Sequence, residues 1–253
     1  MLSAFVIAFA MYSKIPMPRV DWNEKNMKYA MCFFPVIGMV IGALEIGAFY
    51  LLNYLGFGSL FRASVLVLIP VIVTGGIHVD GLLDTTDAIS SHAERERKLE
   101  ILKDSHTGAF AILGCVIYFM AALAVWSEVS AAILPSVVVV FTLSRALSGM
   151  AVVSFKSARS NGLLYTFSDG AHKIVVRGVL IVLVLAAAVL MVMLNPVAGA
   201  VGVAAAVVTF CYYRWFSYKE FGGITGDLAG YFLQLCELFV PLAMVVAERI
   251  GAL

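Results

Sequence analysis

Long unbroken apolar runs separated by short polar stretches dominate the chain. Seven segments stand out: Met31 to Leu55, Ala63 to Ile77, Ala109 to Trp126, Ile133 to Val153, Ile174 to Leu194, Val197 to Tyr213, and Leu228 to Ala247. A helix rising 1.5 Å per residue needs about 20 apolar residues to cross a hydrocarbon core of about 30 Å, so most of these runs predict spanning helices. The second is short and contains Pro70, which predicts a kinked or tilted span. A membrane β-barrel would alternate apolar and polar positions in short segments instead. Met1 to Ser13 is apolar but lacks a leading basic residue and a small-residue cleavage site, and it is too short to span. It predicts an interfacial or re-entrant helix feeding the Lys14-Ile15-Pro16-Met17-Pro18-Arg19 turn. The fold expected is all-α, a polytopic membrane helix bundle of about seven transmembrane helices, with residues 1–253 forming one domain.

Composition agrees. Hydrophobic residues make up 62% and charged residues 13% of the 253, against about 45–50% and about 25% in soluble domains; mean hydropathy is +0.98. A soluble enzyme, a disordered chain and a secreted disulfide scaffold are excluded. With 17 basic and 16 acidic residues the net charge is +1, which argues against a nucleic-acid partner. Cys32, Cys115, Cys211 and Cys236 lie far apart in or beside apolar runs and read as small hydrophobes. Placing the N-terminus on the cytoplasmic side puts every one of the 17 basic residues there except Arg62, Arg145 and Arg249. The same topology puts the polar segments 78–108, 154–173 and 214–227, with most of the carboxylates, on that one face, as expected of an enzyme working at a membrane surface.

The densest chemistry lies in Thr74-Gly75-Gly76-Ile77-His78-Val79-Asp80-Gly81-Leu82-Leu83-Asp84-Thr85-Thr86-Asp87-Ala88. Asp80, Asp84 and Asp87 stand at i, i+4 and i+7 and share about 60° of a helix surface. Three like charges so placed repel unless a cation sits among them, and hard oxygen donors favour Mg²⁺ or Mn²⁺. Mg²⁺ keeps positions open for phosphates, so a diphosphate substrate fits; a solvated acidic helix end is the plainer alternative. Downstream, Arg97 and Lys103 can clamp phosphate oxygens, although Arg95 to Asp104 also reads as a surface helix of alternating charge. Arg145 falls within a span, where it needs a carboxylate or an anionic ligand; Glu45 and Glu237, also within spans, are the alternatives for a structural pair. Gly222-Gly223-Ile224-Thr225-Gly226-Asp227 puts three glycines before a helix start, a pattern that cradles anions and also makes tight turns.

These residues resemble one family. Gly75-Gly76-x-His78-x-Asp80-Gly81-Leu82-x-Asp84-x-x-Asp87, followed by Leu99-Glu100-Ile101-Leu102-Lys103-Asp104-Ser105, is similar to the signatures of the integral-membrane cobalamin synthases, the adenosylcobinamide-GDP ribazoletransferases. The Lys14 to Pro18 turn, Ser144-Arg145, Ala158-Arg159 with Gly162-Leu163, and Thr225-Gly226-Asp227 with Gly230 and Glu237 follow in the same order, so the resemblance covers nearly the whole chain. The chain departs from the pattern at His106, where an arginine is usual, and at Gln234, where a glutamate is usual.

The resemblance implies a Mg²⁺-dependent transferase of a bacterial or archaeal cytoplasmic membrane, with its N-terminus and active site on the cytoplasmic side. It implies joining adenosylcobinamide-GDP to α-ribazole or its 5′-phosphate, with release of GMP. On that reading Asp80, Asp84 and Asp87 hold the metal. Asp104 or Asp227 completes its shell or takes a proton, and His78 orients an aspartate or a leaving oxygen. Arg97, Lys103, Arg145, Arg159, Gly226 and Glu237 contact substrate. Two rivals share some of these features. A CDP-alcohol phosphotransferase or prenyltransferase also places aspartates at the cytoplasmic surface, but here Leu83-Asp84 replaces the alanine-arginine of the first, and the second aspartate-rich motif of the other is missing. A metal or solute transporter would explain charges within spans, but not one-sided carboxylates without an internal repeat.

Overall fold

The computed structural model describes residues 1–104, 106–159, 167 and 170–251; Ser105, Gly162, Leu163 and Asp169 lie outside the described residues. In chain order the helices are α1 (Leu2–Tyr12), α2 (Glu24–Met27), a 3-10 turn at Ala30–Phe33, α3 (Phe34–Tyr54), α4 (Ser59–Thr74), α5 (Ile77–Ser90) and α6 (Arg95–Ile101). They continue with α7 (Ala109–Ser127), α8 (Leu134–Val137), α9 (Val140–Ser154), α10 (Lys173–Leu194), α11 (Pro196–Phe221) and α12 (Gly226–Gly251).

Six stretches are long and apolar enough to cross a membrane: Lys25–Tyr54, Ala109–Ser127, Leu134–Ser154, Lys173–Leu194, Pro196–Phe221 and Gly226–Gly251. α4 is the expected short second span. Its 16 residues rise about 24 Å, and Pro70 sits inside it without ending it. The chain then turns by 95° into α5. Gly75 (φ 66°) and Gly76 (φ 79°) make that elbow in the left-handed region, which glycine enters without a Cβ penalty. α5 therefore leaves the line of α4, carrying the three aspartates at the end of the bundle rather than through it.

Contacts between helix ends sort the bundle into two faces. The carboxylate of Asp87 on α5 receives the first N–H groups of α7, Lys98 of α6 meets Glu220 of α11, and Arg177 of α10 meets the Val153 carbonyl of α9. At the other end Asn53 meets Arg62, and Arg249 and Glu248 of α12 meet Glu128 and Ser130. Leu134–Ser154 is the centre of the bundle, with 94% of its apolar window buried, against 22% for α7 and for α10. The outer helices present Phe110, Leu113, Met120, Val182, Leu185 and Met193 outward, the belt that a lipid solvent requires.

Two boundaries differ from the sequence expectation. The span expected to stop at Tyr213 continues helically to Phe221, because Arg214, Trp215, Tyr218 and Lys219 pack as cation–ring and ring–ring neighbours along one helix rather than forming a loop. The segment expected as one helix from Ile133 to Val153 is two pieces, α8 and α9, joined through Val138 and Val139.

Candidate active site

α5 packs along the start of α12, and the approach is close. A Cβ on Gly81 would fall 2.5 Å from the Asp227 carbonyl oxygen, so glycine is required where the two helices cross. That crossing sets Asp80 and Asp84 of α5 against Asp227 in the first turn of α12. Thr225 starts α12, its Oγ1 accepting the Leu228 N–H at 3.2 Å. The strand-like bridge between Ser157 and Ile224, with the Ala158 N–H bonded to the Ile224 carbonyl at 2.9 Å, brings Arg159 alongside. Arg159 Nη1 lies 4.0 Å from Asp227 Oδ2, and its Nη2 donates to the Leu99 carbonyl at 2.5 Å.

The Asp84 carboxyl is pushed up to about 7, first by burial and then by the charges of Asp80, Asp227 and Asp87. A cation among these oxygens would relieve both effects. Among the described residues no three His, Cys, Asp or Glu side chains converge closely enough to hold a metal unaided. Mg²⁺ is ordinarily bound by one or two carboxylates plus water and substrate phosphates rather than by an all-protein cage. Asp80 and Asp84 could therefore hold such an ion only with further oxygen donors supplied by water or a bound phosphate.

Asp87 is engaged differently from its two partners in the stripe. Its Oδ2 accepts the Gly108 N–H at 2.5 Å and its Oδ1 the Ala111 N–H at 2.8 Å, so both oxygens cap α7.

Two cavities share Ile77 and Asp80 in their walls. The outer one, of about 650 Å³, lies between α1, α4 and α5 and is bordered by Ser13, Lys14, Thr74, Gly75 and Asp80. The inner one, of about 190 Å³, runs into the bundle past Asp80 and Asp227 and is walled by Tyr12, Phe34, His78 and Ser148 among others. His78 is 5% exposed. Burial, and after it the charge of Arg145, keep its imidazole well below the ordinary histidine range. Its Nε2 has no hydrogen-bond partner among the described residues.

A scan of family models matches residues 4–245 to the one described as cobalamin-5-phosphate synthase. The chain belongs to that family. A protein of Lachnoclostridium phytofermentans named adenosylcobinamide-GDP ribazoletransferase is 46% identical over 98% of this chain and 95% of its own length. Proteins of the same name from Clostridium botulinum (strain Alaska E43) and Carboxydothermus hydrogenoformans are each 31% identical, over 94% and 99% of this chain and 95% and 99% of their own. No solved structure matches the chain. The cobalamin-5-phosphate synthase relatives are transferases, so this chain is an enzyme and the transporter rival falls.

Within this family member, the structure gathers only some of the residues singled out from sequence. Asp80, Asp84, Asp227, Gly226, His78 and Arg159 meet at or beside the cleft. Asp104 lies at the surface, where the His106 N–H and ring Nδ1 contact its Oδ1 at 3.0 and 2.6 Å and lower its pKa. Arg97 is exposed and paired with Glu100 at 2.8 Å, and Lys103 is exposed. Arg145 and Glu237 were candidate substrate contacts. The structure instead pairs them with each other at 2.6 Å, with Arg145 fully buried and Glu237 also bonded to Ser144 at 2.9 Å. Glu45, the other carboxylate considered for that pair, is fully buried and has no partner for either oxygen among the described residues. Lys14, Tyr12, Phe34 and Ser148 border the cleft without having been singled out as site residues. Three of them sit in apolar runs, where an aromatic or small residue looks like ordinary core.

Proposed function

We propose that this chain carries out the nucleotide-loop joining step at the acidic cleft between α5 and α12. A ribose hydroxyl of α-ribazole, or of its 5′-phosphate, attacks the phosphorus attached to cobinamide in adenosylcobinamide-GDP. The new O–P bond forms as the P–O bond to GMP breaks, giving adenosylcobalamin or its 5′-phosphate. The observation that carries this reading is the crowding of Asp80, Asp84 and Asp227 where α5 crosses α12, with Asp80 and Asp227 lining the inner cavity, in a chain of this family. Asp80 and Asp84 would hold Mg²⁺ with the diphosphate, the ion neutralising phosphate charge as GMP departs. Asp227, in the wall of the inner cavity beside Asp80, would take the hydroxyl proton. Arg159 beside it and Lys14 at the rim of the outer cavity are cations available to phosphate oxygens. The bias of basic residues towards the α5–α12 end supports a cytoplasmic site in the inner membrane.

The test is Mg²⁺-dependent GMP release in proteoliposomes supplied with adenosylcobinamide-GDP and α-ribazole. Asp84→Ala should abolish it while leaving the protein folded; near-normal turnover by that variant would remove the acidic cleft from the reaction.

A further inference from the structure

The inner cavity has a character unlike that of the acidic mouth. Beyond Asp80 and Asp227 its walls are mainly apolar, with Met31, Phe34, Val152, Leu233 and the ring of Tyr12 beside only two polar side chains, His78 and Ser148, and its volume is about 190 Å³. That is room for one small flat ring system and far too little for a corrin macrocycle. Two aromatic rings flank His78, with centroids 6.4 Å (Tyr12) and 5.9 Å (Phe34) from its own. Within this apolar enclosure one buried polar atom, His78 Nε2, lacks a partner among the described residues. A buried nitrogen left unpaired is costly, so such an atom calls for a ligand group to meet it.

We propose that the inner cavity seats the aromatic base of the ribazole acceptor, with His78 Nε2 donating a hydrogen bond to the base's unsubstituted ring nitrogen. The inference rests on the function proposed above and assigns a subsite within it. A benzimidazole nucleoside suits the enclosure because its base offers a single in-plane acceptor on an otherwise apolar bicycle. Guanine, the other base in the reaction, carries an amino group, a ring N–H, a carbonyl and two ring acceptors. Seated here, with only His78 and Ser148 polar inside the carboxylate mouth, it would leave part of that set against Met31, Phe34, Val152 and Leu233 unpaired. The geometry also orders the reaction. With the base inserted past Asp80 and Asp227, the ribose emerges at the cavity mouth, where Asp227 can accept its proton and the diphosphate lies in the outer cavity. His78 is on this account a specificity residue that touches the acceptor, with Tyr12 and Phe34, packed together at 4.4 Å between centroids, forming one aromatic wall beside it.

The experiment uses the full chain in nanodiscs with adenosylcobinamide-GDP as donor. Two acceptors are compared, α-ribazole and its indole isostere, in which carbon replaces the ring nitrogen. Wild-type protein should prefer α-ribazole roughly tenfold to a hundredfold in kcat/KM, the loss expected when a buried donor is left unpaired. His78→Phe should bring that ratio to about one. Independently, Val152→Phe, which grows into the cavity, should raise the acceptor KM at least tenfold and leave the donor KM unchanged. A preserved ratio in His78→Phe overturns the hydrogen bond. A raised donor KM with an unchanged acceptor KM in Val152→Phe overturns the assignment and gives the cavity to guanine. In both cases wild-type turnover persists and the proposed function stands; absence of product from wild-type protein with either acceptor would instead sink that function and the subsite with it.

Discussion

Asp87 separates two explanations of the aspartate stripe, because the structure uses it to start a helix. The first N–H groups of α7 have no partner within their own helix. Asp87, on another helix, accepts two of them, at 2.5 and 2.8 Å. Bonds to a charged acceptor contribute about 1.5–3 kcal/mol each, and losing an N-cap costs about 0.5–2 kcal/mol. Water can reach this half-buried site and replaces part of the loss, so Asp87→Ala should cost about 1–3 kcal/mol in the metal-free protein. Asp87→Asn should cost less, since its carbonyl oxygen still accepts one N–H. Asp84 should behave oppositely. Burial and three neighbouring carboxylates hold its pKa at about 7, so removing its charge should leave metal-free stability unchanged or raised while Mg²⁺ binding is lost. Reversible unfolding in mixed micelles titrated with sodium dodecyl sulfate, without Mg²⁺, gives the first quantity; calorimetric Mg²⁺ titration in the presence of adenosylcobinamide-GDP gives the second. Wild-type stability in Asp87→Ala, combined with a loss of Mg²⁺ binding as large as that of Asp84→Ala, would refute the assignment of Asp87 to α7.

Two further predictions concern protons and topology. With its pKa raised to about 7, Asp84 is largely protonated at about pH 6 and largely ionised at about pH 8, and Mg²⁺ must displace that proton. Apparent Mg²⁺ affinity should therefore rise with pH, by about tenfold per unit below 7 and levelling above it; a flat profile across that interval contradicts the environment described for Asp84. Ser91→Cys and Ser127→Cys, introduced after replacing the native cysteines, of which Cys211 is exposed, should label from opposite sides of oriented vesicles, and labelling from the same side would break the proposed orientation.

Hydropathy made most of the bundle legible in advance, because in lipid a helix must be apolar along its whole outer face and that leaves an unbroken signal. The same rule explains where the reading stopped short. Arg214 to Lys219 look like a loop by composition, but their aromatic and cationic side chains reach the interface from a continuing helix. The acidic cluster was legible too, since Asp80 and Asp84 share a face by spacing alone. The engagement of Asp87 was not, because its partners lie 21 and 24 residues away and meet it only once α5 and α7 pack. Nor could spacing choose between Glu45 and Glu237 for Arg145, a choice made by the packing of α9 against α12. The inner cavity is the extreme case. Tyr12, Phe34 and Ser148 come from three distant segments, and each reads individually as core.

The right-angle elbow at Gly75-Gly76 has a consequence for traffic. By turning α5 95° away from α4, the elbow keeps Asp80 and Asp84 at one end of the bundle, which on the proposed function is the boundary between water and lipid. On that function, a bulky, hydrophilic corrinoid could remain in the aqueous phase and extend only its phosphorylated arm to the protein. Turnover on such a ledge would need no opened pore and would leave the ion-tight seal of the membrane intact.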